Sequence, residues 1–293
     1  MQLMVLLLLA VGMLTVVSIP TVVFTYLGID IFSRTPMLWL QSATQILTFA
    51  VPVLLMTLIY YRGRQREFCR LDFSGPKWLN ALAAVVIVLL LVPAIDWITV
   101  WNDSWDLGRV GDYFRHLQEQ TEGMLKQLVA TDTVGGLLSN LLVVALLPGV
   151  CEELFFRAGI QNLLQRWFGG KQTPNSNLQT PNSLATHAAV WLTAVIFSLA
   201  HGEVFAFMPR LVLGLLLGYL YVGSGSLLVN MAAHFVNNAL VVVVYWLVAR
   251  GVLDIDPEEP LKVALELTVC CTAAALALFF ITFPLFRRNT STE

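Results

Sequence analysis

Residues 134–165, VGGLLSNLLVVALLPGVCEELFFRAGIQNLLQ, decide the fold. The stretch exceeds the roughly 20 mostly apolar residues that a membrane-spanning helix needs, yet it contains Glu152, Glu153 and Arg157. An ionisable group in the bilayer core costs about 2.5–3.5 kcal/mol on insertion scales. These three side chains must therefore be paired, hydrated or functional. Pro148-Gly149 in the same stretch predicts a kink or break in the helix.

The rest of the chain extends this pattern to a whole membrane domain. Of its 293 residues, 57% are hydrophobic and 12% are charged, about half the charge of a soluble domain. The sequence predicts an all-α, polytopic membrane helix bundle of about eight transmembrane helices, forming one domain over 1–293. The expected spans are 3–28, 38–61, 78–101, 134–165, 186–203, 207–223, 226–249 and 262–286. The first is interpreted as a retained helix, with a cleaved signal peptide as the alternative.

Loop charges predict the orientation. Basic residues follow the second and fourth spans and form part of the tail, whereas the loops on the other side are acidic. Because Lys and Arg concentrate in cytoplasmic loops, both termini are expected in the cytoplasm. The inner membrane of a prokaryote is the expected location, since the sequence shows no internal-membrane retention signal. The net charge of −2 gives no sign of nucleic-acid binding, and the four cysteines form no C-x-x-C pair.

Two loops are polar. Residues 102–133 carry scattered apolar residues and predict an interfacial amphipathic helix. Residues 169–183 contain the pentapeptide QTPNS twice and predict a flexible polar loop without a catalytic role. The fifth and sixth spans, joined by a short turn, are expected to form an antiparallel pair.

Glu152 and Glu153 differ in their expected partners. Residues four apart share one face of a helix, so Glu153 and Arg157 are placed to pair, either as part of a site or simply to lock helices together. Glu152 is rotated by about 100° from its neighbour and has no nearby partner in the sequence. It is therefore the carboxylate that is free to act.

Two further spans carry polar residues in short patterns. Residues 197–201 read FSLAH, and a single histidine such as His201 at the end of an apolar helix is more often a capped or interfacial residue than a catalyst. Residues 234–238 read HFVNN, in which His234 and Asn238 share one helix face and could serve as interhelical contacts. Together the groups suggest one chemistry. A carboxylate and an imidazole can take a proton from water, and an imidazole with an amide can hold an oxyanion.

At these residues the sequence resembles the CPBP (Abi) family of intramembrane proteases, which includes the type II CAAX prenyl endopeptidases. The family motifs E-E-x-x-x-R, F-x-x-x-H and H-x-x-x-N read EELFFR at 152–157, FSLAH at 197–201 and HFVNN at 234–238. The motifs occur in the expected order on separate spans. The resemblance lies within 134–249, which is the expected catalytic core.

The resemblance implies a function and a role for each motif residue. The expected activity is the endopeptidase hydrolysis of membrane-associated or lipidated proteins or peptides. Prenylated proteins are one of the substrate classes that this activity would include. Glu152 matches the water-activating residue, assisted by His201, while His234 and Asn238 match the oxyanion-stabilising pair. Glu153 and Arg157 match the remaining positions and are expected to orient the site.

Metal dependence and two other functions stay open at this stage. Two histidines and a glutamate could hold zinc, but the chain lacks the second histidine of the H-E-x-x-H pattern. A metal-free, glutamate-dependent mechanism without a cofactor is therefore favoured, with zinc not excluded. A transporter with a proton relay is disfavoured because the two halves show no matching broken helices. The third alternative is a non-catalytic membrane scaffold.

Overall fold

The computed structural model describes residues 1–72, 74, 77–169 and 184–290, and in the last helix it describes the side chains as far as Thr282. Over these residues the chain forms helices and no strands. The helices are α1 Gln2–Tyr26, α2 Arg34–Tyr60, α3 Lys77–Asp103, α4 Gly108–Val129, α5 Val134–Phe168, α6 Leu184–Ala200, α7 Phe207–Ser224, α8 Leu227–Ala249 and α9 Leu265–Thr290. A short helix, Gln65–Phe68, follows α2, and a 3-10 turn, Val204–Ala206, precedes α7.

Among the described helices, seven are long and apolar enough to cross a membrane, and α6 is a shorter apolar helix of 17 residues. This confirms the predicted polytopic helix bundle. Of the seven long helices, α7 is the most buried. Half of the residues in its most apolar stretch are buried, whereas the corresponding fraction in α1 is 11%. The apolar surface of α1 therefore faces outward, as expected for a helix at the lipid boundary.

Two π-helical segments are each followed closely by a proline. Gln45–Ala50 in α2 precedes Pro52, and Leu141–Leu146 in α5 precedes Pro148. Proline has no N–H to donate to the preceding turn, and widening that turn accommodates the loss. Of the kink or break predicted at Pro148-Gly149, the break does not occur: α5 continues through these residues to Phe168.

A third π-helical segment, Leu154–Gln161, follows the adjacent glutamates directly. Such segments inside α-helices are often found at functional sites. The three segments together lie in α2 and α5, the helices that carry Gln45 and Glu152.

The predicted antiparallel pair of α6 and α7 is confirmed, and its packing depends on small residues. A Cβ added to Gly214 would lie 3.2 Å from Cα of Ala194, and one added to Gly218 would lie 2.8 Å from Cγ1 of Val190. The glycines thus allow the two backbones to approach closely. The helix α6 ends at Ala200 rather than at 203, because Gly202 adopts a left-handed φ of +72° that stops it.

The amphipathic helix predicted within 102–133 is also present, as α4. It lies against one end of the bundle, where the Arg115 guanidinium stacks 4.0 Å from the ring of Phe205 and Lys126 pairs with Glu258 at 2.9 Å. Residues 170–183, which hold nearly all of the predicted flexible loop 169–183, lie outside the described residues.

Candidate active site

The candidate site is built by side chains from α2, α5, α8 and the turn between α6 and α7. The central group is the carboxylate of Glu152, a residue that is only 6% exposed. Its Oε1 accepts a hydrogen bond of 3.0 Å from Nε2 of Gln45. Its Oε2 is buried and has no hydrogen-bond partner among the described residues.

Two imidazoles face the unpaired oxygen of Glu152. The Nε2 atoms of His201 and His234 each lie 3.9 Å from Glu152 Oε2. This distance is too long for a direct hydrogen bond, but a water molecule could bridge the three atoms. The structure thus brings together three of the four residues that the sequence nominated as catalytic.

His201 is oriented by the end of its own helix. It follows α6 directly, and its Nδ1 lies 2.8 Å from the carbonyl oxygen of Phe197. A carbonyl can only accept, so Nδ1 carries the hydrogen and Nε2 is left to face Glu152. The side chain of His201 is 28% exposed, more than those of Glu152 and His234, which makes it the most accessible of the three groups.

Glu153 contacts the other ring nitrogen of His234 and two further side chains. Its Oε2 accepts from Nε of Arg157 at 3.0 Å and from Nδ2 of Asn230 at 3.2 Å, and its Oε1 lies 3.0 Å from Nδ1 of His234. The predicted Glu153–Arg157 pair is confirmed, and both side chains are fully buried. A carboxylate facing Nδ1 holds the hydrogen there, which directs Nε2 of His234 toward Glu152.

Phe197 separates and supports the two imidazoles. Its ring centroid lies 4.8 Å from that of His201 and 5.9 Å from that of His234, both edge-on. Phe156 packs edge-on against the same ring at 5.1 Å. Because Phe197 is 1% exposed, its fixed ring restricts how far either imidazole can turn. The phenylalanine of the second motif therefore has a structural role in the site.

Asn238 is not brought into hydrogen-bond contact with the cluster. Its Oδ1 accepts from Nδ2 of Asn237 at 3.1 Å, and it lies one helical turn after His234 on α8. This bond occupies the acceptor of the Asn238 amide and leaves its N–H donors available.

Two residues of the site were not nominated from the sequence: Gln45, which binds Glu152, and Asn230, which binds Glu153. The available signals were weak. Gln45 is a glutamine inside a predicted span, and Asn230 precedes His234 by four residues, so the two share a face of α8.

The described residues offer little for a metal ion. Among them, no three His, Cys, Asp or Glu side chains are placed to hold one. We therefore assign no step to a metal, and the expectation of a cofactor-free site stays a prediction.

Comparison with known proteins gives a family match over the part of the chain that carries the three motifs. Residues 134–240 match the family model described as type II CAAX prenyl endopeptidase Rce1-like. The matched segment includes α5, α6, α7 and the part of α8 that carries His234 and Asn238. Searches of curated proteins and of solved structures gave no significant match. The chain therefore has the helices of a multi-pass membrane protein, and its segment 134–240 is similar to the Rce1-like type II CAAX prenyl endopeptidases.

Proposed function

We propose that the protein hydrolyses peptide bonds of membrane-associated or lipidated substrates by a metal-free mechanism that depends on Glu152. In this proposal Glu152 is the general base, His201 assists it, and His234 and Asn238 stabilise the oxyanion. Glu153 and Arg157 hold His234 in place. The observation that carries the proposal is the approach of two imidazole nitrogens to the unpaired oxygen of Glu152, each at 3.9 Å.

The proposed first step is the attack of water on the scissile carbonyl. A water molecule at Glu152 Oε2 gives up one proton to this carboxylate, and its oxygen bonds to the carbonyl carbon. His201 Nε2 accepts the water's other hydrogen as a hydrogen bond and so aligns the lone pair for attack. The proton on Glu152 then passes to the leaving nitrogen as the C–N bond breaks, which returns the carboxylate to its starting state.

The proposed oxyanion site lies on α8. Asn237 donates to Oδ1 of Asn238, and the Nδ2 hydrogens of Asn238 are available for the oxyanion. His234 can donate from Nε2 when it is protonated, and in that form it is flanked by the carboxylates of Glu152 and Glu153. Charge-assisted hydrogen bonds are stronger in a buried site. Donors that are already in place also do not have to reorganise during the reaction.

The proposed substrates and location follow from the membrane setting and the family. The family description names CAAX prenyl endopeptidases, so a prenylated C-terminal peptide is the first substrate to test. Peptide leaders and membrane-anchored proteins are the other proposed classes. Because basic residues gather in the loop after α2 and in the tail, we propose that both termini are cytoplasmic, in a prokaryotic inner membrane.

Replacing Glu152 with Gln tests the mechanism. The purified protein is assayed in proteoliposomes with a quenched fluorescent peptide that ends in a farnesylated CAAX sequence. We expect wild type and Glu67→Gln, an exposed glutamate that pairs with Arg64 at 2.6 Å, to cleave this peptide. Glu152→Gln should fold normally and lose cleavage by at least 100-fold.

Cleavage by Glu152→Gln at the wild-type rate would exclude Glu152 as the base. If wild type does not cut the prenylated peptide, membrane proteomes of cells expressing wild type and Glu152→Ala are compared. A precursor that accumulates only with Glu152→Ala identifies another substrate class. If none accumulates, the protease proposal is wrong.

A further inference from the structure

We propose that Gln45 is a positioning residue for the general base, holding one oxygen of Glu152 so that the other faces both histidines. This inference rests on the proposed role of Glu152. Its evidence comes from α2, a helix outside the segment 134–240 that matches the family.

The contact is direct and buried. Nε2 of Gln45 donates to Glu152 Oε1 at 3.0 Å, and the two residues are 5% and 6% exposed. A bond from an amide to a charged carboxylate contributes more than one between neutral groups. Because Oε1 is held by Gln45, rotation of the carboxylate is restricted, and Oε2 remains directed at Nε2 of His201 and of His234.

Two buried oxygen atoms also point to a polar ligand at the site. Oε1 of Gln45 and Oε2 of Glu152 are both buried acceptors without a hydrogen-bond partner among the described residues. Buried acceptors in proteins are normally satisfied, and water is the small donor that a hydrolase must admit. We therefore assign to Gln45 a second task, the binding of water beside the general base.

The local helix geometry fits this role. Gln45 is the first residue of the π-helical segment Gln45–Ala50, which precedes Pro52. The wider turn changes the direction of the side chains relative to a regular α-helix. The neighbouring Gln41, one turn earlier in α2, is half-buried and makes no side-chain hydrogen bond with the described residues. It provides a matched control for the effect of losing a glutamine from this helix.

The first test uses activity. Gln45→Met keeps the length of the side chain and removes the donor, whereas Gln41→Met makes the same change at the control position. With the farnesylated CAAX peptide, we expect Gln45→Met to lower kcat about tenfold with little change in KM. Gln45→Glu keeps the length of the side chain but cannot donate to Oε1 when it is ionised, so it should lower kcat at least as much, again with little change in KM.

A merely structural role for Gln45 would lower the yield of folded enzyme and leave the kcat of the folded fraction unchanged. An unchanged kcat with either variant overturns the inference. The proposed function still stands in that case if Glu152→Gln remains inactive.

The second test needs no substrate. Thermal unfolding is measured for wild type, Gln45→Met, Glu152→Gln and the double variant. A direct bond predicts that the two shifts in Tm are not additive, while the pair Gln41→Met and Glu152→Gln should be additive. Additive shifts for Gln45→Met and Glu152→Gln would reject the contact, whether or not the prenylated peptide proves to be a substrate.

Discussion

Nδ1 of His234 lies 3.0 Å from Oε1 of Glu153, across a separation of 81 residues in the chain. The same carboxylate accepts bonds from Arg157 and Asn230. Glu153 therefore has three neighbouring donors, and its contacts with His234 and Asn230 hold α5 against α8. Glu152, the adjacent residue, keeps one oxygen unpaired. The rotation of about 100° between neighbours on a helix thus gives two identical side chains separate tasks.

The first prediction concerns the charge of Glu153. In Glu153→Gln, the guanidinium of Arg157 stays fully buried without a charged partner, and its Nη atoms already lack hydrogen bonds among the described residues. Breaking a buried ion pair from one side costs about 3–5 kcal/mol. We expect a large fall in Tm in detergent and loss of cleavage.

A double variant separates stability from catalysis. Glu153→Gln combined with Arg157→Met removes both charges and should recover much of the lost Tm. It should remain inactive, because His234 lacks the carboxylate at Nδ1. A wild-type Tm for Glu153→Gln alone would show that the pair does not stabilise the bundle.

The second prediction concerns Asn238. If its amide donates to the oxyanion, Asn238→Ala should lower kcat about 100- to 1000-fold, with little change in KM and an unchanged Tm. The control is Asn237→Ala, which removes the donor to Asn238 Oδ1 and should have a smaller effect on kcat. Steady-state kinetics on the prenylated peptide measure both. Equal, small effects of the two substitutions would remove Asn238 from the proposed oxyanion site.

The bundle and much of the site were predictable because their signals are local. Apolar length identified the spans, and four-residue spacing identified the Glu153–Arg157 pair, now seen at 3.0 Å. The convergence of Glu152, His201 and His234 followed from the order of three motifs rather than from any single pattern.

Gln45 and the shape of the helices were not predictable in the same way. The bond from Gln45 to Glu152 joins residues 107 positions apart, and no spacing rule connects a lone glutamine to a distant carboxylate. The expectation of a kink or break at Pro148-Gly149 did not include the π-helical turn before the proline, which lets α5 continue without a break. The end of α6 was predicted three residues too late, at 203 instead of Ala200, since the left-handed Gly202 was treated as part of the span.

The third prediction concerns a close approach of α5 and α8 at Gly149. A Cβ added to Gly149 would lie 3.0 Å from the backbone nitrogen of Phe235 and 3.2 Å from its Cα. Because the obstacle is backbone, Gly149→Ala must push the helices apart, which displaces His234 from Glu152. Overpacking of this kind costs about 1–3 kcal/mol, so we expect a lower Tm together with reduced cleavage.

Gly123→Ala is the matched control for this change. Gly123 lies on the exposed face of α4 and has open space where the methyl group would be added. Alanine there should keep or raise the Tm, since glycine is the poorer helix former by about 0.5–1 kcal/mol. If Gly149→Ala behaves like Gly123→Ala, the close approach of α5 and α8 is not required for folding or activity.

The fourth prediction is a pH dependence in the loop between α2 and α3, away from the membrane spans. Asp72 pairs with Lys77 and accepts two hydrogen bonds from Ser74, and these contacts lower the pKa of Asp72 to about 2. The ordinary value is about 3.9. A lowered pKa in the folded state means that the ionised form stabilises the fold. This contribution is complete above about pH 4 and is lost as the pH falls through about 2.

Asp72→Asn should therefore lower the Tm at pH 7 by about 1–3 °C, a small effect because partly exposed ion pairs contribute about 1 kcal/mol or less. The difference from wild type should be the same at pH 5 and should shrink below pH 4. Asp254→Asn is the control, since Asp254 is exposed and makes no side-chain hydrogen bond or ion pair with the described residues. Thermal unfolding of the three proteins between pH 2.5 and pH 7, in steps of about half a unit, measures the effect. A deficit for Asp72→Asn that stays constant across this range would show that the Asp72 charge does not stabilise the junction between α2 and α3.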